Sequence, residues 1–183
     1  MADRPGLTGV LLVGGASARF GSPKALARLG GRTLAEIGWE TLGFCDERIA
    51  VGKAADGLDL PFPVVEDGSD VRAPIAGVVA ALRAAAHDLC VVLPVDTPSI
   101  RPDDLRALAG ACADAAVPPT GPLPGAYRTS ALPVLDRALR EGRLALRDAV
   151  ARLDAVVVPL DPGRLANVNT PGDLERLARP AML

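Results

Sequence analysis

The stretch LTGVLLVGGASARFGSPKAL, residues 7–26, is the most informative part of this chain. A short apolar run ends at Gly14-Gly15, and the loop that follows carries Arg19 and Lys24. A strand that ends in a glycine turn brings backbone N–H groups close to phosphate oxygens, because glycine has no side chain to keep the ligand away. Arg19 and Lys24 add positive charge to the same loop. The sequence therefore predicts a strand followed by a phosphate-binding loop.

The charge on this loop comes partly from an uncommon residue type. Lys24 is one of only two lysines in the chain, against eighteen arginines. An ammonium group is a compact point charge, whereas a guanidinium is wide and planar. The loop matches neither a P-loop nor the dinucleotide fingerprint, because five residues separate Gly15 from Gly21, and Ser-Pro then precedes Lys24.

The overall composition limits the classes of function. The chain has 183 residues, enough for one domain with a buried core. Its net charge of −2 argues against the basic surface that nucleic-acid binding needs. No apolar run approaches the ~20 residues of a membrane helix, and the first residues lack the apolar core of a signal peptide. We expect a cytoplasmic protein without a nucleic-acid or membrane partner.

Cysteine and histidine chemistry is not indicated. Cys45, Cys90 and Cys112 are widely spaced and form no CxxC pair, which argues against a zinc site or a disulfide framework. His87 is the only histidine, and the chain has no nucleophile elbow, so a hydrolase triad is excluded.

Apolar runs of strand length alternate with segments of helical period, which is typical of a parallel α/β sheet. The predicted strands are 8–13, 48–51, 63–65, 89–95, 115–118 and 155–159. The predicted helices are 33–43, 74–86, 102–112, 130–140, 144–152 and 171–179. We expect a single-domain, Rossmann-like three-layer sandwich with a mostly parallel central sheet, over residues 1–183 with a core at about 7–178.

Asp96 follows the most apolar of these runs, which has the composition of a central strand buried on both faces. Open α/β sheets bind ligands beyond the carboxyl ends of their strands. Mg²⁺ prefers hard oxygen donors, and one or two carboxylates usually hold it together with substrate phosphates. Asp96 is therefore the predicted Mg²⁺ ligand; the alternative is that it caps the following turn.

Residues 66–77 lead from a strand into an alanine-rich helix. The acids of the stretch EDGSD at 66–70 are candidates to accept hydrogen bonds from a ribose or a base, and Gly77 would let the helix lie close to a planar ligand. The alternative is a solvated turn followed by a packing face of small residues.

Two later segments carry polar candidates. Tyr127, within LPGAYR at 123–128, would help to shape an acceptor pocket or else belongs to the core. Asn167 and Asn169 lie on the same side of an extended segment, just before a helix N-terminus that favours anions. A pair of turn asparagines is the alternative for these two residues.

In this order and spacing the motifs resemble those of the molybdenum cofactor guanylyltransferase family over about residues 7–178. The matching pieces are LLVGG-S-R-G-K at 11–24, D…PIAG at 67–77, VDTP at 95–98, PGAYR at 124–128 and NVNTPGDL at 167–174. The resemblance implies a fold of the nucleotide-diphospho-sugar transferase type that binds GTP with Mg²⁺. It also implies transfer of GMP to the terminal phosphate of molybdopterin, with release of pyrophosphate.

The resemblance further assigns roles to single residues. Nucleotide contacts would fall on Leu12, Val13, Gly14, Gly15, Lys24, Asp67, Gly77 and Asp96. Catalysis would rest on Arg19, Lys24 and the Mg²⁺ held by Asp96, which offset phosphate charge. Contacts with the acceptor would fall on Tyr127, Asn167 and Asn169. Expected partners are GTP, a molybdopterin-type acceptor, and transiently the proteins that deliver molybdopterin or receive the finished cofactor.

Three alternatives stay open: a cytidylyltransferase for the same cofactor, a sugar-phosphate nucleotidyltransferase, and a nucleotide-binding regulator without turnover. The Gly14-Gly15 pair favours guanine, because the cytidylyltransferase relatives tend to carry Ala-Ala-Gly in this loop. Sugar-phosphate enzymes usually have more acceptor-binding chain than 183 residues allow. The short proline-rich loop at 118–125 is the feature that favours the regulator.

Overall fold

Strand β1 (Leu7–Leu12) is buried along its whole length and lies inside the sheet. In this computed structural model, which describes residues 6–14 and 21–178, β1 has parallel neighbours on both sides. These are β4 (Glu47–Gly52) and β6 (Leu89–Pro94). A continuous apolar run suits a parallel strand whose two faces are both covered by helices.

Four more strands complete a seven-stranded sheet. They are β5 (Val64–Glu66), β7 (Ala115–Val117), β8 (Gly125–Arg128) and β9 (Ala155–Val157). The strand order is β5-β4-β1-β6-β8-β7-β9. Strand β8 runs antiparallel to both of its neighbours, and the other pairings in this sheet are parallel. A separate antiparallel ribbon consists of β2 (Arg28–Leu29) and β3 (Arg32–Thr33).

Helices cover both faces of the sheet. They are α1 (Leu34–Thr41), α2 (Pro74–Ala84), α3 (Pro102–Ala111), α4 (Leu132–Arg140), α5 (Leu146–Val150) and α6 (Pro171–Ala178). Because successive strand residues point to opposite faces, Leu11 of β1 packs with the α1 and α3 side, whereas Val10 packs with α2, α4 and α5. The predicted three-layer fold class is confirmed. Within the described residues, no helix combines the length and apolar character needed to cross a bilayer.

Local signals in the sequence explain where the helices begin. Pro74, Pro102 and Pro171 each occupy the first position of their helix, where the missing N–H breaks no hydrogen bond. Helix α1 starts with a capping box between Thr33 and Glu36. The six predicted helices and the six predicted strands are confirmed, with ends that differ by a few residues.

The sequence analysis missed β8, because residues 125–128 were not among the predicted strands. This strand has only four residues and follows a proline-rich loop. Its place in the sheet comes from pairing with β6 and β7. In the pairing with β6, Tyr127 lies opposite Cys90. Such distant pairing leaves no periodic pattern in the local sequence.

Close packing at Gly9, near the middle of β1, generates a prediction about stability. A Cβ there would meet Cys45 Sγ at 2.9 Å and Leu42 Cβ at 3.1 Å, and Leu42 Cβ cannot move without its backbone. We expect Gly9→Ala to lower the free energy of unfolding by about 1–3 kcal/mol through overpacking. Urea denaturation monitored by circular dichroism measures this change.

Gly110→Ala is the matched control, because Gly110 lies in α3 with open space around its Cβ position. There alanine should raise the free energy of unfolding by about 0.5–1 kcal/mol. Equal effects of the two substitutions would contradict the packing argument.

Candidate functional site

A cleft of about 270 Å³ opens where β1, β4 and β6 end. Parallel strands end at the same edge of a sheet, and open α/β sheets bind their ligands at that edge. Seven of the predicted site residues line this cleft: Leu12, Val13, Gly14, Lys24, Asp67, Gly77 and Asp96. Gly15 and Arg19, predicted for the same loop, lie outside the described residues.

Lys24 joins residues from three predicted motifs into one cluster. Its Nζ donates to Asp96 Oδ2 at 3.3 Å and to Asn169 Oδ1 at 2.8 Å. The side chains of Lys24 and Asp96 are only 17% and 22% exposed, so the ion pair is partly shielded from water. Such a pair can bind an anionic ligand through the ammonium group and a divalent cation through the neighbouring carboxylate.

Two hydrogen bonds join residues 167–169, which include both asparagines, to the turn after β6. The N–H of Val168 donates to the Asp96 carbonyl at 2.7 Å. The buried Thr97 hydroxyl donates to Asn167 Oδ1 at 3.2 Å. The sequence predicted Asp96 and the asparagines separately, and the structure places them side by side. Thr97, which makes this link, was not among the predicted site residues.

Asp173 holds Asn169 in place from the first turn of α6. Its Oδ2 accepts the N–H groups of Asn169 and Thr170, each at 2.8 Å. The hydrogen bond from the Asn169 backbone, followed by one with the Thr170 side chain, lowers the pKa of the Asp173 carboxyl. The position of Asn169 thus depends on an ionised carboxylate.

Leu12 and Val13 line the cleft and also hold the ends of three strands together. The Leu12 carbonyl accepts the Val95 N–H at 3.0 Å, and the Val13 N–H donates to the Val51 carbonyl at 2.9 Å. These two groups therefore close the sheet and are already paired. Gly14 is the first exposed residue after β1, so a ligand can approach its backbone.

The opposite side of the cleft contains a residue that the sequence analysis missed. Lys53 follows β4, and its Nζ donates to Asp67 Oδ1 at 2.9 Å and to the Ser69 carbonyl. Its side chain is 13% exposed. The signal that could have identified it is rarity, because Lys24 and Lys53 are the only lysines in the chain and both line this cleft.

Gly77 of α2 serves packing as well as the cleft. A Cβ on Gly77 would lie 3.0 Å from Leu12 Cδ2, so glycine allows the helix to lie close to β1. This contact agrees with the packing alternative, although Gly77 also lines the cleft.

Tyr127 requires a correction, because its side chain is fully buried. The hydroxyl donates to the Pro122 carbonyl at 2.5 Å, and burial raises the pKa of the phenol. Pairing of β8 with β6 and β7 places the ring in the core, where it offers no surface to an acceptor. In the loop before β8, Leu123 lines the cleft.

Cys90, Cys112 and His87 do not line this cleft. Burial raises the pKa of Cys90 to about 12 and that of Cys112 to about 11. Both thiols are therefore protonated near neutral pH. His87 precedes β6 and so lies at the sheet edge opposite to Asp96.

An open, mostly parallel sheet with a lysine, a carboxylate and an amide at its carboxyl edge defines a Rossmann-like α/β protein whose site suits an anionic ligand. The model of the MobA-like NTP transferase domain matches residues 9–156. This chain belongs to that family.

Individual relatives resemble the chain over nearly its whole length. It is 34% identical over 187 residues to the "Probable molybdenum cofactor guanylyltransferase" of Bacillus subtilis, covering 92% of each chain. A protein of the same name from Deinococcus radiodurans is 36% identical and covers 94% of each. The solved structure of molybdopterin-guanine dinucleotide biosynthesis protein A from Archaeoglobus fulgidus has a TM-score of 0.79 and 30% identity, covering 92% of this chain and 95% of that one. The predicted family is confirmed.

The carboxylate of Asp173 gives a pH-dependent prediction. Its pKa is lowered in the folded state, so it contributes stability above its unfolded pKa, and this contribution is lost as the pH falls through the folded pKa. We expect Asp173→Asn to be less stable than the wild type at neutral pH, with the difference vanishing in acid. Urea denaturation at a series of pH values tests this.

An NMR titration of wild-type Asp173 should give a midpoint below the ordinary value of 3.8. A stability difference that stays constant into acid would contradict the assignment of the effect to the ionised carboxylate.

Proposed function

We propose that this chain transfers GMP from GTP to the terminal phosphate of molybdopterin and releases pyrophosphate. The observation that carries the proposal is the cluster of Lys24, Asp96 and Asn169 at the carboxyl edge of β1 and β6. The names of relatives that match more than nine-tenths of the chain support the same reaction.

Lys24 is the proposed phosphate ligand. Its ammonium donates to a carboxylate oxygen of Asp96 and to the amide oxygen of Asn169. Phosphate oxygens are acceptors of the same kind, so one partner can be exchanged while the other keeps the ammonium in place. Arg19 is proposed to add a second positive charge from the part of the loop outside the described residues.

Asp96 is the proposed ligand of a divalent metal ion, Mg²⁺ in this proposal. Within the described residues, no three His, Cys, Asp or Glu side chains are grouped to hold an ion. A single accessible carboxylate fits Mg²⁺, which is commonly bound by one or two carboxylates plus substrate phosphates and water. The bound ion would supply charge neutralisation on the phosphates.

Asn167 and Asn169 are proposed to face the acceptor. The side-chain oxygen of Asn167 accepts from Thr97, and that of Asn169 accepts from Lys24. With both oxygens engaged, each amide presents its N–H₂ group as a donor, which suits an anionic phosphate.

The reaction follows from this arrangement. An oxygen of the acceptor phosphate forms a bond to the α-phosphorus of GTP, and the bond from that phosphorus to the bridging oxygen of pyrophosphate breaks. Such a displacement needs positioning and charge neutralisation more than a covalent nucleophile. This requirement agrees with the protonated, buried thiols.

The proposal extends to location and partners. A cytoplasmic protein has access to GTP, and the acceptor has to come from proteins that make or deliver molybdopterin. Transient contacts with those proteins and with the molybdoenzymes that receive the product belong to the same proposal.

Nucleotide titration by calorimetry with Mg²⁺ tests the first half of the proposal. We expect the wild type to prefer GTP to CTP, ATP and UTP. Lys24→Ala should weaken GTP binding about tenfold or more, because a charged hydrogen-bond donor to phosphate is lost. A preference for CTP would instead favour the cytidylyltransferase.

Pyrophosphate release in the presence of a molybdopterin acceptor tests the second half. Asp96→Ala should lower turnover about 10²–10³-fold, since electrostatic stabilisation at the reacting phosphates is lost. Asp103→Ala, at an exposed aspartate in the first turn of α3, is the matched control and should leave turnover unchanged. Tight GTP binding without pyrophosphate release from any acceptor would favour the regulator.

A further inference from the structure

The side of the cleft away from Lys24 is built around a second lysine–carboxylate pair. Lys53 follows β4 and Asp67 follows β5, whereas Asp96 follows β6 on the other side of β1. The side chains of Lys53 and Asp67 are 13% and 10% exposed. This pair is therefore more shielded from water than the pair of Lys24 and Asp96.

Several hydrogen bonds fix Asp67 relative to β4. The Asp67 N–H donates to the Gly52 carbonyl at 2.9 Å, which joins its backbone to the residue before Lys53. Asp67 Oδ1 accepts from Lys53 Nζ at 2.9 Å and from the Ser69 N–H at 3.0 Å. Lys53 Nζ also donates to the Ser69 carbonyl, so one ammonium group binds both ends of the turn.

This arrangement leaves the two carboxylate oxygens of Asp67 unequal. Oδ1 has two donors, while Oδ2 receives no hydrogen bond from the residues that the structure describes. Asp67 lines the cleft, and a carboxylate oxygen can only accept. The group that it meets in a ligand is therefore a donor, either a ribose hydroxyl or an N–H of the guanine.

We infer that Lys53 is a positioning residue for the nucleoside part of GTP and acts by holding the Asp67 carboxylate in one orientation. The inference rests on the proposed function and goes beyond it by adding a residue that is needed for GTP affinity. A lysine suits this place because its compact ammonium can donate to a carboxylate and a carbonyl at the same time, where a planar guanidinium needs more room.

A double-mutant cycle of Lys53→Met and Asp67→Ala tests the inference. Calorimetry gives the GTP dissociation constant, and pyrophosphate release gives KM and kcat separately. Lys53→Met should weaken GTP binding about tenfold, because an ion-paired hydrogen bond that orders Asp67 is lost. We expect kcat to change less than about threefold, since Lys24 and Asp96 are untouched. In the Asp67→Ala background, Lys53→Met should change GTP affinity less than about twofold.

Arg72→Met is the control for a general loss of positive charge. Arg72 also lines the cleft, but its guanidinium pairs with Asp56 at 2.9 Å instead of with Asp67. Its effect on GTP affinity should be the same with and without Asp67→Ala. The inference would be overturned if Lys53→Met lowered GTP affinity by the same factor with and without Asp67. It would also be overturned if Lys53→Met lowered kcat alone.

Lys53→Gln provides a second test if Lys53→Met lowers the melting temperature strongly. A glutamine amide can donate to Asp67 and to the Ser69 carbonyl without carrying charge. Lys53→Gln should keep clearly more GTP affinity than Lys53→Met, and equal losses would overturn the positioning role. A wild-type chain that binds no GTP would overturn the proposed function as well, whereas GTP binding that is insensitive to Lys53→Met would overturn this inference alone.

Discussion

The parallel pairing of β1 with β4 and β6 is the constraint on which the site depends. The last hydrogen bonds of these pairings join Val13 to Val51 and Val95 to Leu12. The three strands therefore end at the same level, and the chain leaves the sheet at Gly14, Lys53 and Asp96 along one edge. The site residues come from distant parts of the sequence. They lie close together because the three strands that precede them end side by side.

Two glycines allow the strand ends and helix α2 to pack closely around the cleft. A Cβ on Gly52 would lie 2.9 Å from Val13 Cγ2, and a Cβ on Gly77 would lie 3.0 Å from Leu12 Cδ2. Larger residues would push apart the strand ends and the helix that together form the cleft. These glycines therefore matter for the geometry of the site even before any ligand contact is considered.

Local pattern was enough to predict most of the fold, and contacts between distant residues account for what was missed. Continuous apolar runs and prolines at helix starts identify strands and helices because their effect is local. The link between Thr97 and Asn167 spans 70 residues, so neither residue could be predicted to orient the other. The two alternatives for Tyr127 could not be separated for the same reason, since pairing between β8 and β6 decides its burial. Lys53 had no motif around it, and only its rarity marked it.

The two lysine–carboxylate pairs of the cleft differ in how firmly the carboxylate is held, and this difference suits different tasks. The ion pair of Lys24 and Asp96 is longer than that of Lys53 and Asp67, 3.3 Å against 2.9 Å, and more exposed. Its members can therefore separate more easily when phosphate and metal compete for them. Asp67 is also bound by the Ser69 N–H and tied to Gly52 through its backbone, so its carboxylate keeps its orientation. In the proposed reaction the charges around the α-phosphorus have to rearrange, while the nucleoside has to stay fixed. A cleft with one exchangeable pair and one fixed pair meets both requirements.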